Sequence, residues 1–72
     1  MKVVVINNDG SGFADNMLVE DGAVISTVVT RTIGSRPITD YIILVNRETP
    51  TADQILYEGD KITITPKKII GA

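Results

Sequence analysis

The last quarter of the chain, Leu56-Tyr57-Glu58-Gly59-Asp60-Lys61-Ile62-Thr63-Ile64-Thr65-Pro66-Lys67-Lys68-Ile69-Ile70-Gly71-Ala72, constrains the fold more than any other stretch. Gly59-Asp60 turns the chain, because glycine takes the positive φ that other residues avoid. In Lys61 to Thr65 the apolar Ile62 and Ile64 alternate with Lys61, Thr63 and Thr65, so one face of a strand is expected to pack and the other to meet solvent or a partner. Ile69 and Ile70 then lie beyond Pro66 as apolar side chains in need of cover, and contiguous exposed apolar surface marks interaction sites.

A chain of 72 residues makes one domain, expected over residues 1–66 with a tail at 67–72. Hydrophobic residues are 43% of it, mostly Val and Ile beside three aromatics (Phe13, Tyr41, Tyr57), which predicts a dense aliphatic core. Cysteine is absent, which removes disulfides, thiolate metal sites and a cysteine nucleophile. Histidine is absent too, and with it the usual general base near neutral pH. Seven basic residues against nine acidic ones give a net charge of −2, which does not favour binding nucleic-acid phosphates. The apolar start Lys2 to Ile6 stops at Asn7-Asn8-Asp9, too short for a signal-peptide core or a membrane span, so a cytoplasmic location without membrane contact is expected.

Taken in order, Lys2 to Ile6 predicts an interior strand buried on both faces, followed by a turn at Asn7 to Gly12. Phe13 to Glu20 predicts a weaker edge strand returning beside the first, with Phe13, Asp15, Met17 and Val19 on one side. In Ala23 to Ile33, Ile25, Val29 and Ile33 recur every four residues with Val24 and Val28 beside them, an amphipathic helix pattern. Propensity opposes it: eight of the eleven residues are β-branched, which costs about 4 kcal/mol against alanine. Asp21 before and Gly34 after read as caps and favour helix, with a strand as the alternative. After a connection around Pro37, Tyr41 to Val45 predicts a second interior strand. Thr51 to Gln54 fits a capping box and predicts a short helical turn delivering Ile55 and Leu56 to the core. The order strand, strand, helix, strand, turn, strand, with the last strand parallel to the first, makes a two-layer α+β domain.

That order, together with Val45-Asn46, Leu56, Gly59-Asp60, Ile62, Ile64 and Gly71, resembles the β-grasp, ubiquitin-like sulfur carriers of thiamine and molybdopterin synthesis, the ThiS/MoaD family. There a Val-Asn follows the third strand, Leu-x-x-Gly-Asp precedes the last, and the chain ends in Gly-Gly on a flexible tail; Pro66 matches the proline that opens the tail in the molybdopterin branch. The resemblance implies a β-grasp fold, a mixed sheet of four to five strands with one helix packed across one face. It also implies a carrier or protein modifier whose terminal glycine carboxylate is adenylated by a partner enzyme. With no histidine, no cysteine and no paired acid and base, the chain itself is not expected to be an enzyme, and no cofactor is expected. This chain departs from the pattern at its end, Gly71-Ala72, so the implied carrier terminus is Gly71 after a peptidase removes Ala72. With Ala72 in place, the reading becomes a non-covalent β-grasp binding module. The free protein is expected to be a monomer.

The candidate partner-binding residues are Lys67, Lys68, Ile69 and Ile70 in the tail, with Ile43 and Ile6 on the sheet. Lys67-Lys68 either steers the tail towards an acidic partner or is a solvated strand end that discourages edge pairing. Ile69-Ile70 is either a docking strip or a longer last strand packed at home. Val4 with Ile6, or Ile43 with Val45, is expected to leave an apolar patch on the sheet face away from the helix. Asn7-x-Asp9-x-Ser11-Gly12 has the outline of a calcium loop, but Leu18 stands where the bidentate glutamate belongs. Asp60 reads as a turn residue and Glu20-Asp21 as the acidic start of the helix.

Overall fold

The computed structural model of the chain describes residues 1–8 and 14–67. Four strands, β1 (Lys2–Asn7), β2 (Ala14–Leu18), β3 (Tyr41–Val45) and β4 (Lys61–Pro66), form one sheet in the order β2-β1-β4-β3. β1 pairs antiparallel with β2 and parallel with β4, and β3 pairs antiparallel with β4. A helix, α1 (Ile25–Ile33), lies across one face, and a 3-10 turn at Ile38–Asp40 leads into β3. The chain thus folds as an α+β β-grasp domain, with the last strand in the middle of the sheet and parallel to the first.

Within the segment expected to be helical, Ile25–Ile33 forms the helix because tertiary burial exceeds the propensity deficit. Ile25, Val28, Val29 and Ile33 are all buried, and at about 1.5–3 kcal/mol each they outweigh the expected cost of the β-branched residues. Gly34 closes the helix with φ 66°, its N–H donating to the Thr30 carbonyl at 2.9 Å. The start differs from the expectation: the residue before the helix is Val24, without a side-chain cap, and the first turn holds no acid. Asp21 lies farther back and pairs with the Met1 ammonium at 3.4 Å. The helix N-terminus is held by main chain instead, Ile25 N–H donating to the Gln54 carbonyl at 2.9 Å.

Burial corrects both strands expected to be interior on two faces. In β1, Val3 and Val5 are buried while Val4 and Ile6 are half-buried, so only one face packs. β3 is an edge strand, with Tyr41 and Val45 buried and Ile42 exposed. A run of five apolar residues carries no parity, so sequence alone could not tell which side faces inward. β2 is the expected edge strand, with Val19 beyond it buried and Met17 packed against the core.

At Thr51–Gln54 a non-helical turn replaces the expected helical one. Gln54 Oε1 does accept the Thr51 N–H at 3.2 Å, and the Thr51 carbonyl accepts the Gln54 N–H at 3.3 Å in return. Leu56 reaches the core at 1% exposure, but Ile55 does not, being 49% exposed. Ile55 pairs with Val24 in an isolated bridge and its side chain points away from the buried leucine.

Candidate interaction face and the base of the tail

The Val-Asn and Leu-x-x-Gly-Asp residues of the C-terminal half meet in one hydrogen-bonded clasp. Val45 and Glu48 exchange main-chain hydrogen bonds of 2.8 and 3.0 Å, closing a two-residue turn in which Asn46 and Arg47 take φ of 52° and 72°. Asn46 tolerates that region because its short amide can bond locally. Its Nδ2 donates to Asp60 Oδ1 and its Oδ1 accepts the Lys61 N–H, both at 3.0 Å. The other Asp60 oxygen accepts the Tyr57 N–H at 2.9 Å. Gly59, at φ 86°, donates to the Lys2 carbonyl at 2.8 Å, and Val4 N–H donates to the Asp60 carbonyl at 2.9 Å. Val-Asn and Leu-x-x-Gly-Asp therefore lock β3, β4 and β1 together, and Asp60 is the turn residue expected.

Because register fixes parity, the sheet has a closed face and an open one. Ile62 and Ile64 of β4 are fully buried beneath α1, opposite Val45 and Ile43 of β3. Ile43 and Val45 thus belong to the helix side, which corrects their expected place on the outer patch. Ile43 packs against the core and Val45 is 4% exposed. The outward positions of β3 are Ile42 and Leu44, paired with Thr65 and Thr63. On β1 they are Val4 and Ile6, with Ile6 beside Thr63, so Ile6 holds its expected position. Val4, Ile6, Leu44 and Ile42 form an aliphatic patch interleaved with threonines, and no described element packs over it. Ile42 and Leu44 were missed because their alternation is visible only once β3 is registered against Ile62 and Ile64.

The charges on that face share one sign. Its outward strand positions are Lys2, Val4 and Ile6; Ala14, Asn16 and Leu18; Ile42 and Leu44; and Lys61, Thr63 and Thr65. The only charged members are lysines, while Asp15 takes the opposite parity on the helix side. Lys67 continues the set just past β4, exposed, with its N–H donated to the Asp40 carbonyl at 2.9 Å. Lys68, Ile69, Ile70, Gly71 and Ala72 lie outside the described residues. What is described of their base is firm: β4 is hydrogen-bonded on both sides, and Pro66 sits opposite Tyr41 at a pairing position that does not need its N–H.

Among the described residues no group of three or more metal-ligating side chains forms, and no helix is long and apolar enough to cross a membrane.

No family model matches the sequence, and no curated protein matches it. Among solved structures, a ubiquitin-like protein from the hyperthermophilic archaeon Caldiarchaeum subterraneum is similar, with a TM-score of 0.72 over 96% of this chain and 99% of that one. At 16% sequence identity the likeness is one of fold, and it makes this chain ubiquitin-like in architecture.

Proposed function

We propose that the chain is a ubiquitin-like carrier or protein modifier, recognised through the outer face of its sheet and acted on at its C-terminal segment. The observation that carries this reading is the position of β4. A central strand anchored on both sides delivers the chain at Lys67 to the rim of a face made of aliphatics and lysines. An activating enzyme with an acidic, aliphatic surface would meet Val4, Ile6, Ile42 and Leu44, with Lys2, Lys61 and Lys67 at the rim. Lys68, Ile69 and Ile70 would extend the contact along the tail.

In this reading a peptidase removes Ala72 and leaves the Gly71 carboxylate. That carboxylate attacks the α-phosphorus of ATP, forming an acyl-adenylate and releasing pyrophosphate. A partner's persulfide sulfur then displaces AMP to give an acyl disulfide, which a second thiol of the partner cleaves, releasing the thiocarboxylate and leaving a disulfide on the partner. Alternatively, a lysine amine displaces AMP and gives an isopeptide. Glycine suits the step because a residue without Cβ lets main chain enter a narrow channel. The chain supplies no general base of its own, and all catalysis belongs to the partner.

The test uses protein ending at Gly71 and its Gly71→Val counterpart with an adenylating enzyme from the same cells. Pyrophosphate release dependent on Gly71 is the expected result, and equal activity of both proteins would overturn it. A second reading, a non-covalent adaptor with Ala72 retained, is favoured by the outer face because that face stands without the tail. Deletion of residues 70–72 separates the two: partner binding that survives the deletion but not Ile42→Asp assigns the function to the face alone.

A further inference from the structure

At one end of the molecule two turns of the same kind lie side by side. Glu20 to Ala23 is closed by Ala23 N–H donating to the Glu20 carbonyl, and Tyr57 to Asp60 by Asp60 N–H donating to the Tyr57 carbonyl, both at 3.0 Å. They are joined by Leu56 N–H to the Ala23 carbonyl at 2.8 Å and by the Val24–Ile55 bridge. β1 braces them from below: Met1 nitrogen donates to the Val19 carbonyl at 2.7 Å, and Lys2 N–H donates to Glu58 Oε1 at 2.9 Å. Between the turns lies an open concavity of about 500 Å³ lined by Met1, Asp21, Gly22, Ile55, Leu56, Tyr57 and Glu58.

This hollow joins apolar surface to negative charge. Tyr57 is 68% and Ile55 49% exposed, so both offer apolar surface to the hollow. Asp21 and Glu58 line the hollow, and Glu20 and Asp53 flank it in sequence. The one cation on its wall, the Met1 ammonium, is engaged by Asp21 and the Val19 carbonyl. The lysines that characterise the outer sheet face do not line it.

We propose that this acidic hollow is a second docking site, for a cationic segment of a partner protein carrying an aliphatic side chain. The aliphatic group would enter between Ile55 and Tyr57. A lysine or arginine beside it would lie over the Tyr57 ring and against Asp21 and Glu58, a cation–π contact backed by opposite charge. Charge selects the occupant: the outer face takes an acidic partner and this end a basic one. The molecule can therefore bridge two proteins. The site goes beyond the carrier reading and does not depend on Gly71.

The test is an amide-resolved NMR titration of the full chain with a blocked pentapeptide in which lysine and leucine alternate. Two controls accompany it, one with glutamate replacing each lysine and one with glycine replacing each leucine. The expected result is shifts at Gly22, Ile55, Tyr57 and Gly59 with the first peptide, none with the glutamate control, and weaker binding with the glycine control and at higher salt. Tyr57→Ser and Ile55→Ser alter exposed side chains, so the fold is retained, and each should weaken binding about tenfold. Asp21→Asn provides a second route that removes charge without removing apolar surface, while Ile42→Asp on the outer face should leave this binding unchanged. Shifts confined to the outer face, equal shifts with the glutamate peptide, or no shifts would overturn the proposal. Concentration-dependent shifts at these amides without peptide would assign the hollow to a second copy of the chain and overturn it equally.

Discussion

The two faces of β4 are built from consecutive residues and meet opposite surroundings. Ile62 and Ile64 point inward and are fully buried, while Lys61, Thr63 and Thr65 point outward between Val4, Ile6, Ile42 and Leu44. The inner face holds the domain together, and the outer face is free to change without unfolding it. The sharpest way to break this comparison is one truncation on each side. Ile64→Ala should cost about 3 kcal/mol through lost transfer energy and the cavity left behind. In a domain of this size that lowers the melting temperature by about 15 °C. Ile42→Asp on the neighbouring strand should stay within about 1 kcal/mol of the parent, the span of side-chain effects on an open strand surface, while abolishing partner binding. Comparable losses of stability from both would mean that the outer face is covered, and the division would fail.

The Asn46–Asp60 clasp belongs to neither face, and it gives the Val-Asn and Leu-x-x-Gly-Asp residues a structural role. Asn46, Gly59 and Asp60 spend their polar groups on one another and on the main chain of β1 and β4. Their pattern is accounted for by the way it joins three strands. Asn46→Ala should cost about 2 kcal/mol: about 1 from two side-chain hydrogen bonds at an exposed site, and about 1 because alanine lacks the amide that offsets the strain of a Cβ at positive φ. Asn46→Gly keeps the backbone free and loses only the bonds, so it should cost about half as much. Urea midpoints of the pair separate the two contributions. A smaller effect, about 1 kcal/mol, is expected for Gly59→Ala, where φ is 86° and the space for a Cβ is open, so that backbone strain acts alone.

Much of this architecture was legible in the sequence, for identifiable reasons. The alternation at Lys61 to Thr65, the four-residue spacing of Ile25, Val29 and Ile33, and Gly34 at the helix end each pointed to the element that forms, and the parallel β1–β4 pair followed from the order. What could not be read was parity and position within the sheet. Tyr41 to Val45 is apolar throughout, so nothing local says that Ile43 faces the helix and Ile42 faces out, or that the strand lies at an edge. The helix start was misjudged because Asp21 resembles a cap, whereas its carboxylate is drawn to the Met1 ammonium. A helical turn at Thr51 to Gln54 would bury both Ile55 and Leu56; the extended bridge to Val24 turns only one of them inward. That missed exposure is what opens the acidic hollow.

The smallest expected effect separates stability from both faces at once. Arg47 sits beside Asn46 in the turn after β3 with φ 72°, exposed, where a residue with Cβ is strained. Relief of that strain by glycine is worth about 1–2 kcal/mol, and the greater freedom of glycine in the unfolded chain returns about 0.5–1 kcal/mol of it. Arg47→Gly should therefore stabilise the domain by about 0.5 kcal/mol, raising the urea midpoint at unchanged slope. Since Arg47 lies on neither the aliphatic patch nor the acidic hollow, binding at both should be unaltered. If the variant is instead less stable, the guanidinium contributes to the fold and the turn is not a neutral hinge between the faces. If it loses only the acidic partner, the cationic rim of the outer face extends past Lys61 to this turn, and Arg47 joins Lys2, Lys61 and Lys67 in recognising that partner.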